Sequence, residues 1–211
     1  FDRFQALPLS DVAQGVREGT VYSAFFKSRV IPRLAQASPA VVGITIASRE
    51  QMVPALELMH LVRSVVPECL LVIGGNVVTR LRDTPAFETL SSLADSTCVF
   101  QGEAAFARIL DAVATLGSRG ARERLGRTAP EEALPPRRWP LPSFEGIMLD
   151  DAVGLPALPY VSTRGCYWGK CHFCAIPAGW SATGYSGSAD PAFVADQLIR
   201  MSGETGVRRV K

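Results

Sequence analysis

Cys166, Cys171 and Cys174 lie in the run Ser162-Thr163-Arg164-Gly165-Cys166-Tyr167-Trp168-Gly169-Lys170-Cys171-His172-Phe173-Cys174, so three of the chain's five cysteines share one aromatic, glycine-rich loop. Three thiolates are one short of the set that closes a structural metal site, and a metal held by them keeps a position open for an outside ligand, which points to catalysis. Two other chemistries fit the same residues. Zinc needs a fourth ligand, and His172 is at hand, although it sits between Cys171 and Cys174 where chelation is strained. A redox thiol pair at Cys171 and Cys174 has the right two-residue gap, but that motif opens a helix after a strand and leaves Cys166 unexplained. Cys69 and Cys98 stand in apolar strand contexts and read as ordinary buried residues.

A spacing of four residues and then two lets the chain wrap a cubane so that three sulfurs reach three irons. The loop resembles the cluster loop of the radical S-adenosylmethionine (SAM) enzymes, matched here by Cys166, Cys171, Phe173 and Cys174. The resemblance implies a 4Fe-4S cluster on the three cysteines, with Phe173 packing near the adenine of SAM. It further implies an open iron that chelates the amino and carboxylate groups of SAM. One electron, from a donor such as flavodoxin or ferredoxin, then yields methionine and a 5'-deoxyadenosyl radical. The usual family spacing is three and then two; the longer first gap, with its Cys-Tyr-Trp-Gly opening, marks a subgroup. Arg164, Gly165 and Lys170 shape the loop and lend it positive charge, or are simply its solvated basic face.

The elements that must position this loop fall in two halves. With 211 residues, 47% hydrophobic and 20% charged, the chain is globular and long enough for one large domain or two small ones. The reading divides it into an α/β domain over 1–116, a linker over 117–159 and the start of a second domain over 160–211. The linker carries Pro130, Pro135, Pro136, Pro140, Pro142, Pro156 and Pro159, too many for a long helix, with Trp139, Leu141 and Phe144 as anchors to a domain surface. Residues 40–47 form a continuous apolar run suited to a parallel strand buried on both faces. A helix with Pro54 in its first turn and Ala55, Leu58, Met59, Val62 and Val65 or Val66 on one stripe follows, ending at Pro67, with His60 solvated. Strands at 70–73 and 97–100 run into Gly74-Gly75 and Gly102-Glu103, before a helix over 104–116. This order predicts an incomplete parallel sheet of the Rossmann or flavodoxin type, with ligands at the carboxyl ends of its strands.

The half from 38 to 116 resembles the cobalamin-binding domain that precedes the barrel in a large subgroup of radical SAM enzymes. That family has a Ser-x-Leu element on one strand and Gly-Gly after the next; Thr45-Ile46-Ala47 and Gly74-Gly75 stand in those places. The resemblance nominates Thr45, Gly74, Gly75 and Gly102 as contacts of the nucleotide tail of cobalamin, with Glu103 as a hydrogen-bond acceptor or helix-start residue. Thr45 keeps the hydroxyl, whereas Ala47 loses bulk. The Asp-x-His-x-x-Gly motif is absent, so no residue is assigned to the lower face of cobalt.

Segment 1–37 carries only a weak helical pattern at 22–34. After the cysteine loop come a glycine-rich stretch at 175–187 and a helix capped by Asp190, with Pro191 in its first turn and Val194, Leu198 and Met201 on one stripe. Residues 207–211 begin a further strand. The resemblance therefore implies a fragment: part of the cobalamin domain plus the first βα unit of a partial (β/α)6 barrel, inactive alone. Methyl transfer to a peptide or small-molecule natural product is the common outcome in the subgroup, alongside ring formation and rearrangement. The alternatives are a non-catalytic corrinoid or nucleotide module and a zinc-stabilised interaction protein. A formal charge of +2 without a basic tract argues against nucleic acid. No apolar run is long enough to cross a bilayer, and the start Phe1-Asp2-Arg3-Phe4 is not a signal peptide, so a reducing cytoplasm is expected.

Overall fold

The apolar runs at 40–47 and 70–73 become parallel neighbours, β1 (Val41–Thr45) and β2 (Leu70–Gly74), with Val42 opposite Leu71 and Thr45 opposite Gly74. β2 pairs in turn with β3 (Ser96–Thr97), giving the order β1-β2-β3. This computed structural model describes residues 8–129, 132–145, 157–174, 176 and 184–211. The Phe1-Asp2-Arg3-Phe4 start, Pro130, Pro156 and most of the 175–187 stretch lie outside them. β3 is shorter than the expected strand over 97–100. Cys98 still donates its N–H to Ile73 O at 2.8 Å, but Phe100 takes a left-handed φ of 57° and ends the ladder.

The described chain divides into two units, Phe1–Glu132 and Ala133–Lys211. In the first, α1 (Leu9–Gly15) is followed by α2 (Ser23–Phe25), a π turn at Phe26–Val30 and α3 (Ile31–Ala37). α4 (Met52–Val65) connects β1 to β2. The sequence reading has β2 followed directly by β3; two helices intervene, α5 (Asn76–Leu81) and α6 (Pro85–Leu93). Each is short, and Thr84-Pro85 splits what would otherwise read as one weak pattern, with Pro85 at the first helical position where its missing N–H costs nothing. α7 (Gly102–Arg124) follows β3 and is broken at Gly117, which adopts a φ of 70°.

Strand residues alternate between two cores. Val42, Leu71 and Ile73 pack with Val12 and Val16 around α1, with Leu56, Met59 and Val62 of α4, and with Phe87 and Leu90 of α6. Leu70, Val72 and Cys98 pack on the other face with Ala105, Ile109, Val113 and Ala121 of α7. Helices on both faces explain why the strands read as unbroken apolar runs, and each fully buried Leu or Ile contributes about 1.5–3 kcal/mol. This is a mixed α/β unit with a parallel sheet, compatible with a Rossmann-like fold. The expectation that 40–47 is buried on both faces is corrected: β1 is an edge strand with Gly43 and Thr45 exposed, β2 is the central one, and among the described residues none pairs with the outer side of β1.

Two polar arrangements fix the frame. Asp95 accepts from Leu71 N–H (2.7 Å) and pairs with Arg63 (2.7 Å) and Arg122 (3.0 Å), tying α4 and the end of α7 to the strand starts. Glu57 is buried on α4 and accepts from the hydroxyls of Thr20 and Ser23, pinning the segment before α3. The expected apolar stripe of α4 is thus corrected: Leu56 and Glu57 are buried and Leu58 only partly so, because the helix is covered by the amino-terminal segment as well as by the sheet. His60 is exposed, as expected.

The expected linker start at 117 is also displaced. Ala121 and Ala129 are buried in the second core, and Thr128 bridges Thr97. Residues 118–129 belong to the first unit, because the helix resumes after Gly117 and the first of the linker prolines is Pro130.

In the second unit, β4 (Thr163–Gly165) pairs antiparallel with β5 (Tyr185–Ser188), and α8 (Pro191–Thr205) follows. The Asp190 carboxylate accepts from Ala192 N–H (3.0 Å) and Phe193 N–H (3.2 Å), and Pro191 opens α8, as its sequence predicts. Leu158, fully buried, forms a parallel bridge with Val210: Leu158 N–H donates to Arg209 O and Lys211 N–H to Leu158 O, both at 2.9 Å. Among the described residues the second unit thus holds one isolated parallel bridge and an antiparallel hairpin, the latter where a glycine-rich stretch was expected. No helix among the described residues is long and apolar enough to cross a membrane.

Candidate functional site

The cysteine loop begins where β4 loses register. The irregularity falls between Arg164 and Gly165, and Gly165 adopts a φ of 86°. A Cβ there would run into the backbone of Gly184 and lie 2.8 Å from Tyr185 Cα, so glycine is a steric requirement of the turn. Cys166 follows at once, half-buried, and donates its N–H to Gly184 O at 3.2 Å. Beyond it the chain leaves the hairpin. Tyr167, Trp168 and Phe173 are exposed, Phe173 by 93%, and the Lys170 ammonium stands 5.2 Å over the Trp168 ring.

Cys171 is exposed and Cys174 half-buried, and Cys174 N–H closes a turn onto Cys171 O at 3.1 Å. His172, between them, is exposed. Among the described residues no three His, Cys, Asp or Glu side chains are gathered tightly enough to hold an ion, so the structure sets the three thiols on one loop without converging them. Their donor chemistry nevertheless fits an iron-sulfur cluster: all three are free thiols, all three reach solvent, and soft thiolates are its usual ligands.

Cys69 and Cys98 have a different environment. Both are buried, at 2% and 7% exposure, and desolvation pushes both thiols up. At Cys69 the Arg63 guanidinium opposes that rise. Thiols held neutral in an apolar core are neither ligands nor nucleophiles.

The residues nominated in the first unit stand together at the carboxyl ends of the strands. Thr45 ends β1, exposed, with Gly74 as its register partner at the end of β2. Gly75 precedes α5; Gly102 and Glu103 open α7. The glycines serve the chain itself. A Cβ on Gly75, whose φ is 106°, would lie 2.6 Å from Ile46 O, and one on Gly74 would lie 3.1 Å from Cys98 O. Gly102 is less constrained, with the nearest atom at 3.6 Å. The absence of side chains at 74 and 75 is therefore accounted for by the close passage of the β1 and β3 ends.

Sequence reasoning missed one feature of this end. Phe100, left-handed, donates its N–H to the buried Thr79 hydroxyl oxygen (2.8 Å), and the Arg82 guanidinium lies 4.7 Å over its ring. A strained non-glycine residue with a cation stacked on it, beside the nominated glycines, carries no sequence signature; only the left-handed φ reveals it.

No protein-family model, curated protein or solved structure matches the chain.

Proposed function

We propose that the chain carries the cofactor-binding part of a radical SAM enzyme, with Cys166, Cys171 and Cys174 as ligands of a 4Fe-4S cluster. The observation that supports this reading is the segregation of thiols: these three are solvent-reaching and share one loop, while Cys69 and Cys98 are sealed in the core. When bound, the cluster supplies one-electron reductive cleavage of SAM, and cobalamin at the sheet end supplies methyl transfer. The chain's own residues have separate tasks. Gly165 and the Cys166 N–H fix where the loop leaves the hairpin, and the turn at Cys171 and Cys174 brings those two backbones together. Lys170 and Arg164 add positive charge near an anionic cluster and the SAM carboxylate, and exposed Phe173 offers a flat face for an adenine. At the first unit, Thr45, Gly74, Gly75, Gly102 and Glu103 form the rim for the cobalamin tail. The substrate is a peptide or small natural product, the product a methylated or otherwise radical-modified form of it, and the electron donor a flavodoxin or ferredoxin.

Anaerobic reconstitution of the chain with iron and sulfide is expected to give a brown protein whose reduced EPR signal shifts on adding SAM. Cys171→Ala abolishes bound iron and sulfide; Cys98→Ala retains both. Recovery of zinc alone, or of iron without sulfide, would falsify the cluster assignment. A flat corrinoid spectrum after addition of hydroxocobalamin removes cobalamin while leaving the cluster untouched.

A further inference from the structure

The cysteine loop has an anchor outside itself. Arg164 lies in β4, two residues before Cys166, with only 8% of its surface exposed, and its guanidinium stacks 4.6 Å from the centre of the Trp139 ring. Trp139 is itself buried to the same degree and is held by its Nε1–H donating to Leu134 O at 2.9 Å. A single helical turn at Pro136–Arg138 precedes it. Pro136 packs on β5, where its Cγ lies 3.2 Å from the position a Cβ on Gly187 would occupy. Arg164 and Gly187 are register partners. The segment 134–139 therefore touches both members of one cross-strand pair, Trp139 on Arg164 and Pro136 on Gly187, immediately before the bulge from which the loop springs.

We propose that Trp139 is a positioning residue for Cys166, acting through Arg164, and that this clamp presents Cys166 at a set point before any metal arrives. The inference rests on the cysteines being metal ligands. Burying a guanidinium requires a compensating partner, and a flat aromatic face supplies one that a lysine ammonium matches poorly. The clamp reaches Cys166 because only one glycine separates it from Arg164 and because Cys166 N–H remains tied to the hairpin. Cys171 and Cys174 lie beyond that reach, held by their own turn, and adjust to the metal as it binds. The prolines around 135–136 thus set a ligand in addition to joining two parts of the chain.

The test uses the metal-free, reduced chain and measures the alkylation rate of each cysteine by iodoacetamide, resolved by peptide mass spectrometry. Cobalt(II) titration, followed at its thiolate absorption band, gives a second readout. Trp139→Ala is expected to raise the Cys166 rate about tenfold and weaken cobalt(II) binding by a similar factor, with Cys171, Cys174 and amide exchange in α8 unchanged. Trp139→Phe, which keeps a ring face, restores both; Arg164→Lys, which keeps the charge but loses the planar stack, behaves like Trp139→Ala. The clamp is overturned if Trp139→Ala leaves the Cys166 rate unchanged, or if Arg164→Lys matches the wild type. It is equally overturned if all three thiols accelerate together while α8 loses protection, since Trp139 would then be a general support of the unit. Should the wild-type chain bind no iron-sulfur cluster, the enzymatic reading fails, and the alkylation contrast still decides the clamp.

Discussion

The first unit packs its two thiols away from water and fills the space near its glycines with its own backbone, whereas the second unit leaves one thiol exposed, two half-buried and several aromatic faces out to solvent. The nearest atoms to the Cβ positions of Gly75 and Gly74 belong to Ile46 and Cys98, just past the ends of β1 and β3. Around Cys171 and Phe173 the surface is open. The contrast teaches that a residue type says little about its task until its surroundings are known: cysteine is core filler in one region and open to chemistry in the other, and glycine, a packing requirement at both 75 and 165, closes a sheet end in one and releases a loop in the other. Rigidity and chemical availability have been assigned to different stretches of one chain.

The sharpest way to break this comparison is at Gly75. Gly75→Ala forces a side chain at φ 106° against the Ile46 backbone, and a loss of about 3 kcal/mol in unfolding free energy by urea titration is expected. The alkylation rates of the loop cysteines should not change. Gly102→Ala, whose Cβ would make an ordinary contact with Cys98 at a helical position, should stay within about 1 kcal/mol of the wild type. Equal losses at both positions would show that the sheet end is not packed as described.

In the second unit the corresponding probe is the cap of α8. Asp190→Ala removes the acceptor of two helix N–H groups and should cost about 1 kcal/mol, seen as faster amide exchange at the start of α8 with no change in the first unit. The smallest effect expected is on the alkaline side. The Cys98 thiol is raised by desolvation, so its contribution to stability is whole below the unfolded thiol value near 9.0 and is lost as pH rises through the folded value. Unfolding free energy should therefore decline above about pH 9, and Cys98→Ala should flatten part of that decline. An unchanged slope would mean that the thiol is already solvated in the folded state.

β2 was legible because burial on both faces leaves an unbroken apolar run, β1 because its run is apolar even though Gly43 and Thr45 are exposed, and α8 because Asp190-Pro191 is a strong local start signal. The α5 and α6 pair was not, since each is short and their apolar positions are interrupted by Thr84-Pro85, itself the start signal of the second. Ser48-Arg49-Glu50-Gln51 is a capping box ahead of α4, with Gln51 Oε1 accepting from Ser48 N–H at 3.1 Å, a local pattern that marked the helix start earlier than Pro54 did. The burial of Glu57 was out of reach because its partners, Thr20 and Ser23, are distant in sequence. At the candidate site the clustering of three cysteines in one loop is visible in the sequence itself. The Trp139 stack on Arg164 could not, since only tertiary packing brings position 139 to position 164.

The outer side of β1 has one more consequence. Its five residues, Val41-Val42-Gly43-Ile44-Thr45, carry no charge and no proline, and alternate backbone groups along it point away from β2. Lysines, prolines and bulges are the usual means of keeping such a border from recruiting a foreign chain, and this one has none of them. Among the described residues it is the border at which the layer offers unpaired backbone to another extended segment.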